Sequence, residues 1–188
     1  MLKEEIIDQT IKVLNNGGII LYPTDTVWGI GCDATNKKAI EKIYKIKKRQ
    51  SNKPLIILTH TAQLLEQYIC TVPKIAYKYI NQYQEPTTII YEQPKNLPDI
   101  LIYNNTIGIR VVKEDNLNLL LASFKKPITS TSANISNSKN PLNFSEIDSH
   151  IKNNVDYIVP EKFMKLKKNT KASKIIQISS KNVQVIRE

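Results

Sequence analysis

The chain has 188 residues, of which 41% are hydrophobic and 23% are charged, a composition typical of one folded domain. No apolar run approaches the ~20 residues that a membrane-spanning helix needs, and the first ten residues contain acids where a secretion signal would be basic and then apolar. We therefore expect a cytoplasmic protein without membrane contact. The net charge of +10 favours polyanionic partners such as nucleotides or RNA, although abundant lysine also fits an ordinary solvated surface.

The first part of the chain predicts a helix, a strand and a second helix. Residues 4–16 carry apolar side chains at helical spacing, and Gly17 and Gly18 follow where a helix end favours positive φ. The apolar run 19–22 predicts a buried strand that ends at Pro23. Asn36 is a suitable N-cap for a helix that reaches the basic residues 47–49.

Strands and helices continue to alternate in the rest of the chain. The predicted strands lie at 55–58, 88–91, 107–112, around Ile128, and at 157–159, 174–178 and 183–186, and the predicted helices at 62–69, 74–83, 117–124 and 145–152. A turn at 180–182 makes the last two strands antiparallel.

This alternation predicts an α/β fold: a single domain with a twisted mixed sheet, flanked by helices, and a deep basic cleft implied by the resemblance described below. We expect one domain over 1–188, with its core at about 5–160 and a tail at 161–188 that completes the cleft. The lysine-rich stretch 162–174 is predicted to be a mobile loop.

Cysteine and histidine are too scarce to carry catalysis or metal binding. Cys32 and Cys70 have no metal-type spacing, and we interpret both as small buried side chains. His60 and His150 are the two histidines, so neither a catalytic triad nor a histidine metal site is supported. Both are expected to be structural or exposed.

Arginine is also scarce, because only Arg49, Arg110 and Arg187 occur among 27 basic residues. A planar guanidinium binds phosphate or carboxylate through two parallel hydrogen bonds, which the point charge of lysine cannot reproduce. The three arginines are therefore candidate anion-binding residues. Chance placement is the alternative.

Two common phosphate-binding motifs are absent or unconvincing. Residues 29–34, GIGCDA, formally match the dinucleotide pattern GxGxxA, but they do not directly follow the strand and lack an acid about 20 residues further on. The chain also has no GxxxxGK[ST] motif, so a P-loop is excluded. Side chains must therefore do much of any phosphate binding.

A basic cluster and two polar segments are the candidates for that role. Residues 47–53 hold four cations and no acid before a core strand, and could converge on phosphate, with a solvated helix end as the alternative. Residues 23–26, PTDT, follow a strand where α/β proteins bind ligands, although Asp25 could simply bond its own turn. Residues 130–136, STSANIS, offer donors for phosphate oxygens, or a cap.

Four segments occur in a fixed order: YPTDTVWGIGCDA, KKR with KPL shortly after it, TIGIR, and STSANIS. Together they resemble the YrdC-like family of threonylcarbamoyl-AMP synthases over roughly residues 10–160, with a weaker match in the tail. The most specific parts are the lysine-x-arginine and serine-x-asparagine signatures, which stand here as Lys47-Lys48-Arg49 and Ser132-Ala133-Asn134.

The resemblance implies a cleft that binds ATP, L-threonine and bicarbonate. It implies that threonine is held by Thr26, Arg110, Ser130 and Ser173, with Arg110 pairing the carboxylate. It implies that ATP is held by Lys47, Arg49, Lys53, Thr106, Ser132, Asn134 and Arg187. No residue is expected to act as a nucleophile, and Lys47 and Arg49 would act as electrostatic clamps on the phosphates.

The implied reaction joins threonine, CO2 or bicarbonate, and the α-phosphate of ATP, releasing pyrophosphate, for the threonylcarbamoyl modification of adenosine in tRNAs reading ANN codons. Positioned cations and Mg2+ can carry most of such catalysis. Because few acids occur in the motifs, we expect Mg2+ to arrive on the phosphates and not in a protein site. Downstream transferase proteins would be partners, and direct tRNA contact is possible. A non-catalytic paralogue that binds RNA, and a domain that adenylates carbamoyl groups, are the alternatives.

The tail departs from the family pattern. Relatives have a glycine-rich stretch before the tail serine, whereas this chain has no glycine after Gly108. The departure weakens the assignments of Ser173 and Arg187. Asn137 stands where relatives often have glycine, and asparagine adopts the left-handed region comparatively easily. In length the chain resembles the short, single-domain members.

Overall fold

A computed structural model describes residues 2–50, 53–82, 85–164, 171–179 and 182–188. In these ranges nine strands form one sheet: β1 Ile20–Tyr22, β2 Gly29–Gly31, β3 Ile56–Thr59, β4 Thr87–Glu92, β5 Thr106–Val111, β6 Ile128–Ser132, β7 Tyr157–Ile158, β8 Lys174–Ile178 and β9 Val183–Arg187. Their spatial order in the sheet is β7-β1-β2-β6-β3-β5-β4-β8-β9.

The sheet is mixed, as the sequence predicted. The pairs β1–β7, β3–β5 and β4–β8 are parallel, and the remaining neighbours are antiparallel. The parallel pairs require long crossovers, which the intervening helices supply. The α/β fold class is therefore confirmed.

Six α-helices lie in the described ranges, namely α1 Lys3–Asn15, α2 Lys37–Ile46, α3 Leu65–Tyr68, α4 Lys74–Gln82, α5 Asp115–Phe124 and α6 Ser149–Asn153. Asn36 caps α2, since its side chain accepts a hydrogen bond from the Ala39 amide. Gly17 follows α1 with a φ of 71°. The predicted N-cap of α2 is therefore confirmed, and α1 ends shortly before the glycine that was predicted to follow it.

The helices cover the two faces of the sheet unequally. Apolar side chains of α2, α3 and α4 pack against one face, in a core that includes Ile57, Ile89 and Ile109. On the other face α1 and α5 pack on a second core around Leu58 and Ile128. Side chains such as Ile56 and Ser130 lie beyond that second core, on a stretch of the same face that borders a cavity.

Most predicted elements are present, with three local differences. The predicted helix at 62–69 is a 3-10 turn, Ala62–Leu64, followed by the single turn of α3. The predicted helix at 145–152 begins only at Ser149. The short strand β2 was not predicted. Residue 83 of the predicted helix 74–83, residues 165–170 of the predicted mobile loop and residues 180–181 of the predicted turn lie outside the described ranges.

The two cysteines differ in environment. Cys32 is buried, and burial raises the pKa of its thiol to about 12. Cys70 is exposed, so its predicted burial was wrong. None of the helices that the structure describes is long and apolar enough to cross a membrane.

The glycines of β2 leave room for a tyrosine ring. Tyr22 pairs with Gly29 across β1 and β2, and its hydroxyl donates to Ser130 Oγ at 3.0 Å. A Cβ added at Gly31 would lie 3.0 Å from the Tyr22 ring and 2.4 Å from the Thr129 carbonyl oxygen. Within the pattern that formally resembled a dinucleotide motif, the two glycines of β2 thus leave space for the Tyr22 ring, whose hydroxyl reaches Ser130.

We expect Gly31→Ala to lower the free energy of unfolding by about 1–3 kcal/mol, because the added methyl group must displace backbone. Gly29→Ala is a matched control, since its added Cβ would meet neighbours at the ordinary distance of 3.4 Å. Urea denaturation of both variants measures the difference, and equal stabilities would contradict the packing argument.

Candidate active site

The uncovered part of the sheet face forms a cavity of about 260 Å³. Alternation along the strands places Ser130 and Ser132 of β6 on this face. In β5 the same alternation places Thr106, Gly108 and Arg110 on one face, and a Cβ added at Gly108 would touch Ile56 at 3.1 Å. The described residues that line the cavity are Thr24, Thr26, Val27, Gly29, Arg49, Pro54, Leu55, Ile56, Arg110, Ser130, Thr131, Ser132, Asn140, Ala172, Ser173, Ile175 and Arg187.

A buried ion pair lies at one end of this cavity. Arg110 is 2% exposed, and its Nη1 lies 2.8 Å from Asp25 Oδ1. The Nε of Arg110 is also buried and has no hydrogen-bond partner among the described residues. A buried guanidinium with an unsatisfied donor is suited to an anionic ligand.

The loop between β1 and β2 fixes the position of Asp25. Thr24 is buried, and its hydroxyl donates to the Val27 carbonyl at 2.7 Å while it accepts from the amides of Thr26 and Val27. Thr24 and Thr26 also share a hydrogen bond of 2.8 Å between their hydroxyls. Asp25 was considered a local turn residue, but the turn is closed by Thr24, which leaves Asp25 to pair with Arg110.

The hydroxyls near the ion pair are held in place by neighbours. Ser130 accepts its hydrogen bond from Tyr22, and burial raises the pKa of Tyr22, which keeps the phenol protonated. Ser173 lies 2.8 Å from the Thr88 hydroxyl, and its carbonyl accepts from Nε and Nη2 of Arg187. Arg187 and Ser173 both line the cavity, although the tail that carries them departs from the family pattern.

The resemblance implied that Lys47 clamps the phosphates of ATP, but its side chain is buried away from the described lining of the cavity. It is 1% exposed and is not among the described residues that line the cavity. Its Nζ donates to the carbonyl of Ser132 and, at 2.7 Å, to that of Asn134. Burial, assisted by the nearby Arg49 guanidinium, lowers the pKa of Lys47 to about 7. In this structure Lys47 therefore joins α2 to the loop after β6.

Arg49 lines the cavity and also supports the chain that leads into β3. Its Nε donates to the Lys53 carbonyl at 2.9 Å and its Nη2 to the Pro54 carbonyl at 3.1 Å. Lys53 is exposed, and its Nζ donates to Asn137 Oδ1 at 3.1 Å, outside the described lining of the cavity. Arg49 is thus the member of the basic cluster that borders the cavity.

The loop after β6 is organised by its own side chains. Ser132 Oγ donates to Asn134 Oδ1 at 2.5 Å, and Asn134 Nδ2 donates to the Ser138 carbonyl at 2.5 Å. Asn137 has a φ of 69°, the left-handed conformation that its replacement of glycine predicted. Ser132 lines the cavity directly, whereas Asn134 supports the loop from behind.

Thr106 lies further along the same sheet. It is four residues before Arg110 in β5, and its hydroxyl donates to the Tyr103 carbonyl at 2.7 Å. There it lines a second groove of about 480 Å³ that also includes Ile90 of the neighbouring strand. Of the eleven residues proposed from the resemblance, seven line the main cavity, and Lys47, Lys53, Thr106 and Asn134 do not.

Sequence reasoning missed two residues of the site. Asp25 was not assigned to Arg110, and Asn140, which lines the cavity, was not singled out. The alternation in TIGIR could have indicated that Arg110 and Gly108 face the same way, but pairing with a loop 85 residues away has no local signal.

No group of three or more histidine, cysteine, aspartate or glutamate side chains that could hold a metal ion occurs in the described ranges. Asp25 is the acidic residue found beside the main cavity, and it is engaged with Arg110. The side-chain donors that line the cavity are otherwise mainly hydroxyls, an amide and guanidinium groups.

A mixed sheet with one partly uncovered face, a buried arginine on that face and further arginines around it define a ligand-binding α/β domain. Residues 12–188 match the Sua5_yciO_yrdC family, whose description reads "Telomere recombination". The chain therefore belongs to the Sua5/YciO/YrdC family.

Similar proteins cover nearly the whole chain. It is 35% identical over 187 residues to a Methanocaldococcus jannaschii protein provisionally named threonylcarbamoyl-AMP synthase, covering 99% of this chain and 86% of that one. It is 33% identical over 165 residues to the threonylcarbamoyl-AMP synthase of Pseudoalteromonas translucida, covering 86% and 88%. The structure of P. abyssi Sua5 complexed with L-threonine shares the fold, with a TM-score of 0.84 and 21% identity over the whole chain, which spans 54% of that Sua5.

The placement of Lys47 predicts a role in stability. We expect Lys47→Met to lower the free energy of unfolding by about 1–3 kcal/mol, because the carbonyls of Ser132 and Asn134 lose their donor. Lys45→Met removes an exposed lysine from the same helix and is the matched control, with an expected change within about 0.5 kcal/mol. Chemical denaturation measures both. Indistinguishable stabilities would show that the buried ammonium does not hold the loop.

Proposed function

We propose that this chain is an L-threonylcarbamoyladenylate synthase, which makes threonylcarbamoyl-AMP and pyrophosphate from L-threonine, bicarbonate or CO2, and ATP. One observation carries the proposal: a buried arginine, Arg110, and two further arginines, Arg49 and Arg187, line the same cavity. This arrangement suits one substrate with a carboxylate and another with phosphates. The names of the relatives support the same activity.

Threonine would bind at the Arg110 end. Its carboxylate would accept from the guanidinium, whose Nε has no partner among the described residues. Thr26, Ser130 and Ser173 supply hydroxyls within the same cavity, which suit the polar side chain and amine of threonine. The L-threonine in the P. abyssi Sua5 structure supports this choice of amino acid.

ATP would bind along the sheet from Arg49 and Ser132 towards the groove that contains Thr106. Arg187 borders the cavity from the edge strand β9. Lys53 lies near Asn137 on the loop after β6 and could turn towards a phosphate chain, because its side chain is exposed. Lys47 and Asn134 would contribute by holding that loop. Mg2+ would be held mainly by the phosphate oxygens, which it prefers together with water.

The reaction needs no protein nucleophile. The ammonium of threonine first releases one proton to water, and the neutral amine then attacks the carbon of CO2. A nitrogen–carbon bond forms as one carbon–oxygen double bond becomes a carboxylate oxygen, and the nitrogen releases its second proton to water. The carbamate oxygen then attacks the α-phosphate, and the bond to the leaving pyrophosphate breaks. Negative charge moves onto pyrophosphate, so the residues' task is to hold the reactants in line and neutralise that charge.

The product is an activated threonylcarbamoyl group, which fits transfer by partner proteins to adenosine in tRNAs reading ANN codons. A non-catalytic protein that binds RNA is the alternative. One observation favours it: α2 exposes the side chains of Lys37, Lys38, Lys42 and Lys45 next to the basic cluster at 47–53, of which Lys48 is also exposed.

Pyrophosphate release and formation of labelled threonylcarbamoyl adenylate from radiolabelled bicarbonate test the proposed activity. We expect both to require threonine, bicarbonate, ATP and Mg2+ together. ATP turnover that is indifferent to threonine would refute the proposal. Salt-dependent RNA binding without threonine-dependent chemistry would favour the alternative.

Charge-conserving substitutions test the two arginines of the matched segments. We expect Arg110→Lys to raise the KM for threonine, and Arg49→Lys to raise that for ATP, each by at least about tenfold, because an ammonium cannot reproduce guanidinium geometry. Steady-state kinetics of pyrophosphate release measure both effects. Lys45→Arg, a swap at an exposed position of α2, should leave both values unchanged. Unchanged KM values in both arginine variants would contradict the proposal that these two guanidinium groups bind the substrates.

A further inference from the structure

Tyr22 reaches the main cavity through Ser130. Its side chain is 1% exposed, packs against Gly29 and Gly31 of β2, and is not among the described residues that line this cavity. The Tyr22 hydroxyl lies 3.0 Å from Ser130 Oγ, and Ser130 does line the cavity. Tyr22 therefore acts on a bound ligand by way of Ser130.

The hydrogen bond between Tyr22 and Ser130 has one direction. Tyr22 donates and Ser130 accepts, whereas in the Thr88–Ser173 pair either hydroxyl could be the donor. Burial raises the pKa of Tyr22, and the charge of Arg110 opposes that rise without cancelling it. The phenol consequently keeps its proton and remains the donor at neutral pH.

This bond decides what Ser130 can offer to a ligand. A serine hydroxyl has one proton and two lone pairs, and Tyr22 occupies one lone pair. No acceptor for the proton of Ser130 is found among the described residues, and Ser130 is 8% exposed at the cavity wall. Accepting from Tyr22 also strengthens the bond that the same hydroxyl donates. Ser130 is thus prepared to donate to an anionic group.

Thr26 lines the same cavity with the opposite polarity. The Thr24 hydroxyl gives its single proton to the Val27 carbonyl at 2.7 Å, because a carbonyl oxygen can only accept. The 2.8 Å bond between the hydroxyls of Thr24 and Thr26 is therefore donated by Thr26. The Thr26 oxygen is left to accept from a ligand, so it suits an ammonium.

The position of Arg110 identifies the anionic group. Arg110 and Ser130 both line the cavity, from β5 and β6 on either side of β3, where they pair with Leu58 and Ile56. The effect of the Arg110 charge on the pKa of Tyr22 also indicates that the guanidinium is near the Tyr22–Ser130 pair. A carboxylate held by Arg110 can thus accept from Ser130 as well.

We propose that Tyr22 is a positioning residue: by donating to Ser130, it directs the Ser130 proton to the carboxylate that Arg110 binds. Ser130 then serves the carboxylate of an α-amino acid, and Thr26 serves its ammonium. This inference rests on the proposed function for the identity of the amino acid, threonine.

Calorimetry of threonine binding without ATP tests the inference in a double-mutant cycle of Tyr22→Phe and Ser130→Ala. We expect Tyr22→Phe to weaken threonine binding by about 3- to 10-fold, as the loss of one hydrogen bond implies. Ser130→Ala should weaken it by at least as much. The double variant should bind threonine like Ser130→Ala alone, because Tyr22 acts through the serine hydroxyl.

A merely structural role of Tyr22 predicts a different pattern, since a deformed site would bind threonine less well in the Ser130→Ala background too. In steady-state kinetics Tyr22→Phe should raise the KM for threonine and leave the KM for ATP unchanged. Tyr91→Phe is the matched control, with no expected change in threonine affinity. Tyr91 is also 1% exposed, but it lies in the core on the opposite face, and its hydroxyl has no partner among the described residues.

Three results would overturn the inference: wild-type protein that does not bind threonine, unchanged affinity in Tyr22→Phe, or a loss in Tyr22→Phe that is independent of Ser130. The expected cycle without threonine-dependent pyrophosphate release would overturn only the proposed function.

Discussion

The ion pair between Arg110 and Asp25 is the interaction on which the site depends. A guanidinium that is 2% exposed must be compensated, and here the partner comes from a loop 85 residues earlier in the chain. The pairing ties the loop after β1 to the central strand β5. The ion pair thereby forms one end of the cavity, which the hydroxyls of Thr26 and Ser130 also line.

Three other cations of the site, Lys47, Arg49 and Arg187, are used in a common way. Lys47, Arg49 and Arg187 each donate to main-chain carbonyls, at Asn134, at Lys53 and Pro54, and at Ser173 respectively. These bonds hold the walls of the cavity before a ligand arrives, and pre-organised groups bind charge without the cost of ordering them. Positive charge therefore supports the shape of the cavity, through hydrogen bonds to its main chain.

Much of the fold could be predicted because its signals are local. Helix α2 has a cap at Asn36 and an apolar face, and both are visible in a short stretch of sequence. Strand β2 escaped prediction because it has three residues, two of them glycine, and is formed by pairing with β1 and β6. Cys70 was predicted to be buried for its residue type, but it lies in the segment after α3 and is exposed.

The sequence alone determined the α/β class, the mixed sheet and seven of the seventeen described residues that line the main cavity, because periodicity and ordered motifs can be recognised along the chain. Only the tertiary structure decided which of the predicted site residues line the cavity. It turned Lys47 inward and left Arg49 at the cavity wall, although the two are neighbours in one motif. It also joined Asp25 to Arg110, since burial and charge pairing depend on contacts between segments that are distant in sequence.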